Sequence, residues 1–273
     1  MKEIEKIYGI KEEIIELRNK VRKFVDEKVI PVETEIVERT EEGLRILKEL
    51  QEEAKAEGIW ALGLPKEIGG GGLKFMDYVY INEIVGRSEA AMVALGTHTA
   101  QDATMLHLFG TEEQKEKWLY PMVRGEINPS VGLTEPEVAG SDPTLIQSTA
   151  YLDGDEWVIN AHKWFTTGAN RAAFTTMFCI TEPDEPNRHK RASMIIVPTD
   201  TPGYEIVREV KTMGHRLGRH CEVRYNNVRV PKENLLGKRG EGFIIGQRRL
   251  GPGRIFHCMR WLGQAQRAFD LMC

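Results

Sequence analysis

Apolar residues recur at three- and four-residue steps over the first part of the chain. Ile14, Leu17, Val21 and Phe24 are separated by charged residues, and Leu44, Leu47, Leu50 and Ala54 repeat the pattern. Each run predicts an amphipathic helix. Gly58 follows the second run as a helix stop. Past the turn "IGGGGLKFMDY", Asp77 is placed to cap a helix carrying Tyr78, Ile81, Ile84 and Val85. In "GTEEQKEKWLYPMV", Thr111 and Gln114 have the spacing of a capping box, so a helix starts there. After about Pro129 the texture becomes that of strands. "AYLDGDEWVINAHKWFTTG" carries an Asp-Gly turn between runs rich in Trp, Val, Ile and Thr, the signature of a hairpin. "ASMIIVPTDT", "YEIVREV" and "EVRYNNVRVP" are further short strands. From about Glu241 the helical period returns, with Ile255, Cys258, Met259, Leu262, Ala265, Ala268 and Phe269 on one face. Helices, then strands, then a helix predict an α+β chain of several regions. The last pattern stops with no glycine or polar tail, and its apolar face needs a cover. The chain is therefore expected to be a truncated form.

Composition narrows the classes. The 273 residues, 41% apolar and 29% charged, are those of a folded globular chain. A net charge of -4 gives no general attraction for nucleic acid, and the basic run "NRHKR" beside Pro186 reads as a solvated loop. The charged start "MKEIEKIYGIKEEIIELRNK" is not a signal or transit peptide, and no apolar run approaches membrane-spanning length. Cys179, Cys221, Cys258 and Cys273 are dispersed, which fits reduced thiols and a cytoplasmic protein.

Most candidate chemistries fail on spacing. No histidine pair has metal-ligand spacing, and His215 and His220 read as loop and strand residues, so no metal is expected. "GGGG" at 69–72 and "GKRGEG" at 237–242 lack the pattern of a phosphate loop. Ser141 sits in "AGSD" rather than in a nucleophile elbow. Two hydroxyl-rich stretches remain. "GLTEPEVAGSDPT" at 132–144 offers backbone, hydroxyls and a carboxylate, and "HKWFTTGAN" at 162–170 places Phe165 beside Thr166 and Thr167. An aromatic lying on a flat ring, with hydroxyls to meet its polar edge, suits a planar cofactor. A strand end filling core with Trp164 or Phe165 is the plainer alternative.

"LTEPEVAGSD", "HKWFTTGA", "GHRLGRHCEVRYNNVRVPKENLLG" and "LGPGRIFHCMRWLGQAQRA", preceded by "GTEEQKEKWLYPMVRGE", resemble in order and spacing the acyl-CoA dehydrogenase family. The resemblance spans nearly the whole chain. It implies a helical N-terminal domain over residues 1–128, a middle antiparallel β-barrel domain over 129–240 and the beginning of a C-terminal helical-bundle domain over 241–273. It also implies FAD as cofactor and α,β-dehydrogenation of an acyl-CoA. Carried over residue by residue, Val131, Leu133, Thr134, Gly140, Ser141, Phe165, Thr166 and Thr167 would face the flavin. Ser141 would face the acyl-CoA, as would Gly251, Gly253 and Arg254, which resemble the substrate-contacting turn before the first helix of the C-terminal domain. Reoxidation by electron-transfer flavoprotein and a homodimer or homotetramer are implied likewise.

Three departures from the family pattern matter. The loop "EVAGSD" is one residue longer than usual, like a branch of the family associated with hydroxylated acyl-CoA substrates. Val131 replaces a frequent aromatic and Phe165 a tryptophan. Gly253 stands where a minority of the family carry the proton-abstracting carboxylate, and most carry it later than residue 273. The base is therefore expected in a missing C-terminal segment, and this chain alone is expected to be nearly inactive. A non-catalytic binding or assembly module and an oxidase on the same fold are the alternative readings.

Overall fold

The computed structural model describes residues 9–214 and 219–273. The start of the chain read above, together with His215 and Arg216, lies outside them in whole or in part. The fold comprises two compact units, one formed by Met1–Gln101 with Gly251–Cys273, the other by Asp102–Leu250.

In the helical unit, α1 (Glu12–Phe24) buries Ile14, Val21 and Phe24, as its periodicity requires, and runs on into a π turn at Val25–Val29. After the short α2 (Glu33–Glu38), the hydroxyl of Thr40 accepts the Gly43 N–H at 2.9 Å and opens α3 (Glu41–Ala56). This satisfies one of the amides that a helix start leaves unpaired. Gly58, at φ +70°, ends α3 as expected. Leu50 and Ala54 of α3 are buried, whereas Leu44 stays exposed. The next helix, α4 (Phe75–Val85), starts earlier than the sequence suggested: Lys74 is its cap, and Asp77 sits inside the first turn. A carboxylate is favoured there by the helix dipole without capping anything. α5 (Glu89–Ala94) and the first residues of α6 (Ala100–Phe109) follow.

The last helix, α9 (Gly242–Met272), corrects a second expectation. Residues 251–254, read as a turn, are interior helix with Pro252 inside it. Proline removes one helical hydrogen bond and crowds the preceding turn. Packing downstream outweighs that loss. The Phe256 ring meets Tyr78 edge-on at 5.2 Å and Phe75 at 5.5 Å, while Asn82 donates to the Phe256 carbonyl at 3.1 Å. Two glycines let the helices cross almost backbone to backbone: a Cβ on Gly263 would lie 1.9 Å from the Glu83 carbonyl oxygen, and one on Gly86 would lie 2.3 Å from Arg260 Cα. Arg267 reaches Glu33, and Arg87 reaches Asp26 and Asp270, tying the end of α9 to earlier helices. Ile255, Leu262 and Phe269 are left exposed on the other face.

In the strand unit, α7 (Glu112–Gln114) begins with the anticipated capping box of Thr111 and Gln114, and α8 is Tyr120–Val123. The Gln114 amide also donates to the carbonyls of Glu233 and Leu235, at 2.8 and 2.9 Å. Among the described residues eight strands follow: β1 (Pro129–Gly132), β2 (Thr149–Asp153), β3 (Glu156–Thr167), β4 (Phe174–Ile180), β5 (Ala192–Pro198), β6 (Tyr204–Val210), β7 (His220–Pro231) and β8 (Leu235–Leu236). The β2–β3 hairpin turns at Gly154, as "LDGD" predicted.

The order of helices, sheet and helix is the one expected. The sheet itself is mixed and open rather than a closed antiparallel barrel. Its order is β6-β7-β3-β2-β4-β5-β8, with β1 added beside β4, and both the β1–β4 and β2–β4 pairs are parallel. Closure would need β6 to meet β8, and β8 offers only two residues. The core contains Trp157, Ile159, Met177, Cys179, Ile195, Val197, Val223 and Tyr225. No described helix is long and apolar enough to cross a membrane.

Candidate functional site

The hydroxyl-rich loop after β1 is moored to the far half of β3. The Trp164 N–H donates to the Thr134 carbonyl at 3.1 Å, and the Thr134 hydroxyl donates to the Trp164 carbonyl at 2.9 Å. Beside this pair, Lys163 reaches Glu135 at 2.7 Å and the Leu133 carbonyl at 2.9 Å. Lys163 is 0% exposed and Glu135 2%. Glu135 also accepts from Gln147 N at 2.6 Å, Ser148 N at 3.1 Å and the Ser148 hydroxyl at 2.5 Å. Burial pushes the Glu135 carboxyl up, but the Lys163 charge and these donors outweigh it and hold it below the usual carboxylate range. Burial draws the Lys163 ammonium down, against the pull of Glu135. A buried charge is tolerated when paired and saturated with hydrogen bonds in this way. The one carboxylate of the "LTEP" stretch is thus a staple, fixing the path of the loop rather than meeting a ligand.

Further out the loop is held again. His162 bridges Glu137 and Glu222, at 2.5 and 3.0 Å, and Arg208 also binds Glu222, which with His162 keeps that carboxyl below its ordinary range. Asp142 accepts from the amide and the hydroxyl of Thr144, at 2.9 and 2.7 Å, and closes the turn at Pro143–Leu145. Gly140 lies against Thr134: a Cβ there would sit 2.7 Å from the Thr134 methyl. Ser141 is exposed, and Val131 and Leu133 are half-buried.

β3 is irregular where it passes this loop. Its register against β7 shifts between Lys163 and Thr166, and Phe165 adopts φ +50°. A bulky residue in the left-handed region is strained, and such strain collects at functional positions. The shift turns Phe165 outward, 42% exposed, against Trp164 at 4.9 Å and His220 at 5.7 Å. It turns Thr166 inward, where its hydroxyl is buried without a partner among the described residues. Thr167 faces out again, its hydroxyl 2.8 Å from His220 Nδ1, and its carbonyl accepts from Ser130 at 3.2 Å. The stretch is therefore a bulged strand as far as Thr167, and the turn begins at Gly168, φ +76°.

Of the residues singled out in the sequence, the structure brings Thr134 and Gly140 together on one loop, anchored to the strand that carries Phe165, Thr166 and Thr167. Gly251, Gly253 and Arg254 belong to the helical unit, in α9. Gly253 is buried, and a Cβ on it would lie 1.7 Å from the Gln101 amide nitrogen. Sequence reading missed Lys163, His162 and His220. Lys163 had a signal: in β3 it follows Trp157, Ile159 and Ala161 at alternate positions, on the inward side. The surroundings are built to hold, not to attack. Ser141 makes no side-chain hydrogen bond among the described residues, and burial pushes the Cys179 thiol up to about 12. Among the described residues no cluster of His, Cys, Asp and Glu could hold a metal ion.

Comparison with known proteins points one way. Residues 11–126 match the family model of the acyl-CoA dehydrogenase N-terminal domain, and residues 130–228 that of the middle domain. A Mycobacterium tuberculosis protein named probable acyl-CoA dehydrogenase FadE2 is 46% identical over 234 residues, covering 83% of this chain and 56% of its own length. Mouse acyl-CoA dehydrogenase family member 11 is 38% identical over 274 residues, 94% of this chain but 35% of the mouse protein. A solved structure of a Mycobacterium abscessus protein assigned to the acyl-CoA dehydrogenases superposes with a TM-score of 0.88 at 37% identity, covering 95% of this chain and 69% of that one. The chain thus spans between about a third and a little over half of these curated relatives.

Proposed function

Because the chain belongs to the acyl-CoA dehydrogenase family, we propose that its bulged strand and stapled loop hold FAD in an enzyme that oxidises an acyl-CoA thioester to the enoyl-CoA. The observation that carries this reading is Phe165. An aromatic ring kept half-exposed at a strained φ, with an outward hydroxyl two residues on, fits a flat polar-edged ring better than it fits core packing. When bound, FAD supplies the two-electron acceptor that no side chain can provide.

The chain's residues take the positioning roles. Phe165 offers a face for the ring. Thr167, whose hydroxyl lies 2.8 Å from His220 Nδ1 and 3.4 Å from the Phe165 carbonyl, presents that hydroxyl at the same outer side of the strand. Thr134 has committed its proton to the Trp164 carbonyl, so its hydroxyl meets a ligand only as an acceptor. Val131, Leu133, Gly140 and Ser141 line the loop, with Thr166 turned inward beneath it. Ser141 with Gly251, Gly253 and Arg254 are assigned to the acyl-CoA. Gly253 brings no side chain, and the space a Cβ would occupy is taken by Gln101. On this reading the proton-abstracting carboxylate comes from outside residues 1–273. Residues 1–128, 129–240 and 241–273 correspond to the enzyme's three regions, electron-transfer flavoprotein reoxidises it, and it works as a homo-oligomer.

The test uses the protein purified from its own source. Its visible spectrum should show a flavin that bleaches when acyl-CoA is added under nitrogen. Protein that carries no flavin, or a flavin that no acyl-CoA bleaches, would overturn the assignment. The 273-residue chain alone should turn over at least about 10²-fold more slowly, the low end of a general base's contribution.

A further inference from the structure

Three glycines of α9 have a steric reason to be glycine. A Cβ on Gly242 would lie 2.8 Å from the Ala192 carbonyl oxygen, one on Gly253 1.7 Å from the Gln101 amide nitrogen, and one on Gly263 1.9 Å from the Glu83 carbonyl oxygen. Gly251 has no such reason. Nothing lies within 4 Å of the place its Cβ would take, so a side chain would fit there. What glycine gives at that position is backbone freedom, next to a residue that works against the helix. Pro252 has no N–H for the Arg248 carbonyl, and its ring crowds that carbonyl. Proline also disfavours helical backbone at the residue before it, and a glycine there escapes part of the clash because it has no Cβ. Gly251 thus keeps the closed helix within reach without holding it closed.

On either side the helix is anchored. Upstream, within the strand unit, Ile245 is fully buried and Arg249 grips Asp102 through two bonds, at 3.1 and 3.2 Å. Downstream, within the helical unit, Phe256 packs against Tyr78, Asn82 donates to the Phe256 carbonyl, and Gly263 meets Glu83. Leu250, Gly251 and Pro252, between these anchors, are only half-buried, and the chain passes from the strand unit to the helical unit between Leu250 and Gly251. Poor helix formers set between two fixed stretches concentrate the opening of a helix at one turn.

We propose that Gly251, Pro252 and Gly253 form a hinge in α9, a turn that opens and recloses while the helix on both sides stays folded. Closed, it has the helical backbone described above. Open, it frees the N–H groups of residues 253 to 256, whose helical bonds run back across the turn, as donors toward a ligand. Under the proposed function Gly251, Gly253 and Arg254 face the acyl-CoA, and the use of the hinge to admit that ligand rests on that reading. The hinge itself does not.

The test follows amide hydrogen exchange along the 273-residue chain by NMR. The amides of residues 253 to 256 should exchange at least about tenfold faster than those of residues 245 to 249 and 261 to 264. Gly251→Ala with Pro252→Ala restores helix propensity and the missing donor, and should slow exchange at the turn roughly ten- to thousandfold. Pro252→Ala alone adds the donor but keeps the glycine; it should give part of the slowing, and it serves if the double variant does not fold. Exchange as slow at the turn as in its flanks, or as fast in the folded variants as in wild type, overturns the hinge. Butyryl-CoA should slow exchange at the turn and leave residues 245 to 249 unchanged. A turn that opens as described but ignores butyryl-CoA would sink its assignment to the acyl-CoA and leave the hinge standing.

Discussion

Lys163 in the strand unit and Arg260 in the helical unit are both cations withdrawn from water, Lys163 completely and Arg260 by half. Around Lys163 the fold supplies a carboxylate and a carbonyl, and that carboxylate is itself saturated by three further donors. Around Arg260 it supplies the imidazole of His257 and, among the described residues, no carboxylate. The difference separates architecture from recognition. A cation whose partner is part of the fold fixes backbone, here the path of the loop bearing Thr134 and Gly140. A cation left with its charge uncompensated is available to something that is not part of the fold.

The strongest way to break the comparison is to remove the partner that only Lys163 has. Glu135→Gln strands a buried ammonium and should destabilise the strand unit by about 3–5 kcal/mol, measured by urea unfolding. Glu135→Gln with Lys163→Met should recover much of that loss, because the charge is removed along with its partner. A single substitution costing under about 1 kcal/mol would mean the pair is not a staple.

Acid gives a weaker version of the same test. The folded Glu135 carboxyl is held below its unfolded value, so its contribution is complete above the ordinary carboxylate range and drains away as pH falls through the folded pKa. The double variant should lose less stability than wild type over that acid window. Parallel pH profiles would exclude the pair as the source.

Smaller still is the strain at Phe165. At φ +50° glycine is at ease and alanine is not, so Phe165→Gly should be more stable than Phe165→Ala by about 1 kcal/mol. Equal stabilities would show that the bulge relaxes once the ring is gone. The least effect is expected at Arg260. Arg260→Met should change stability by no more than about 1 kcal/mol, since no anion is left stranded. A loss as large as that of Glu135→Gln would show that Arg260 has a structural partner after all.

Local rules made the ends of elements legible. The capping box at Thr111 and Gln114, the stop at Gly58 and the hairpin at Gly154 each depend on a few adjacent residues, and each stands as read. Where distant contacts decide, the sequence misled. Residues 251–254 look like a turn because Gly-Pro-Gly lacks helix propensity, but Phe256 and the crossings at Gly86 and Gly263 keep the helix whole. Asp77 looks like a cap until Lys74 takes that place. The candidate site was half legible. Its hydroxyls and its aromatic were found by residue type, whereas the Glu135–Lys163 staple joins residues 28 apart that only the sheet brings together. The reversal of Thr166 follows from a bulge that no local pattern announces.

On the proposed function, the bulge at Phe165 and its stapled loop hold a flavin. The most direct measurement is a titration of the 273-residue chain with FAD, followed by quenching of flavin fluorescence and repeated with Phe165→Ala. One FAD should bind per chain, with an affinity weakened roughly three- to tenfold by the substitution. No saturable binding, or the same affinity without the Phe165 ring, would contradict it.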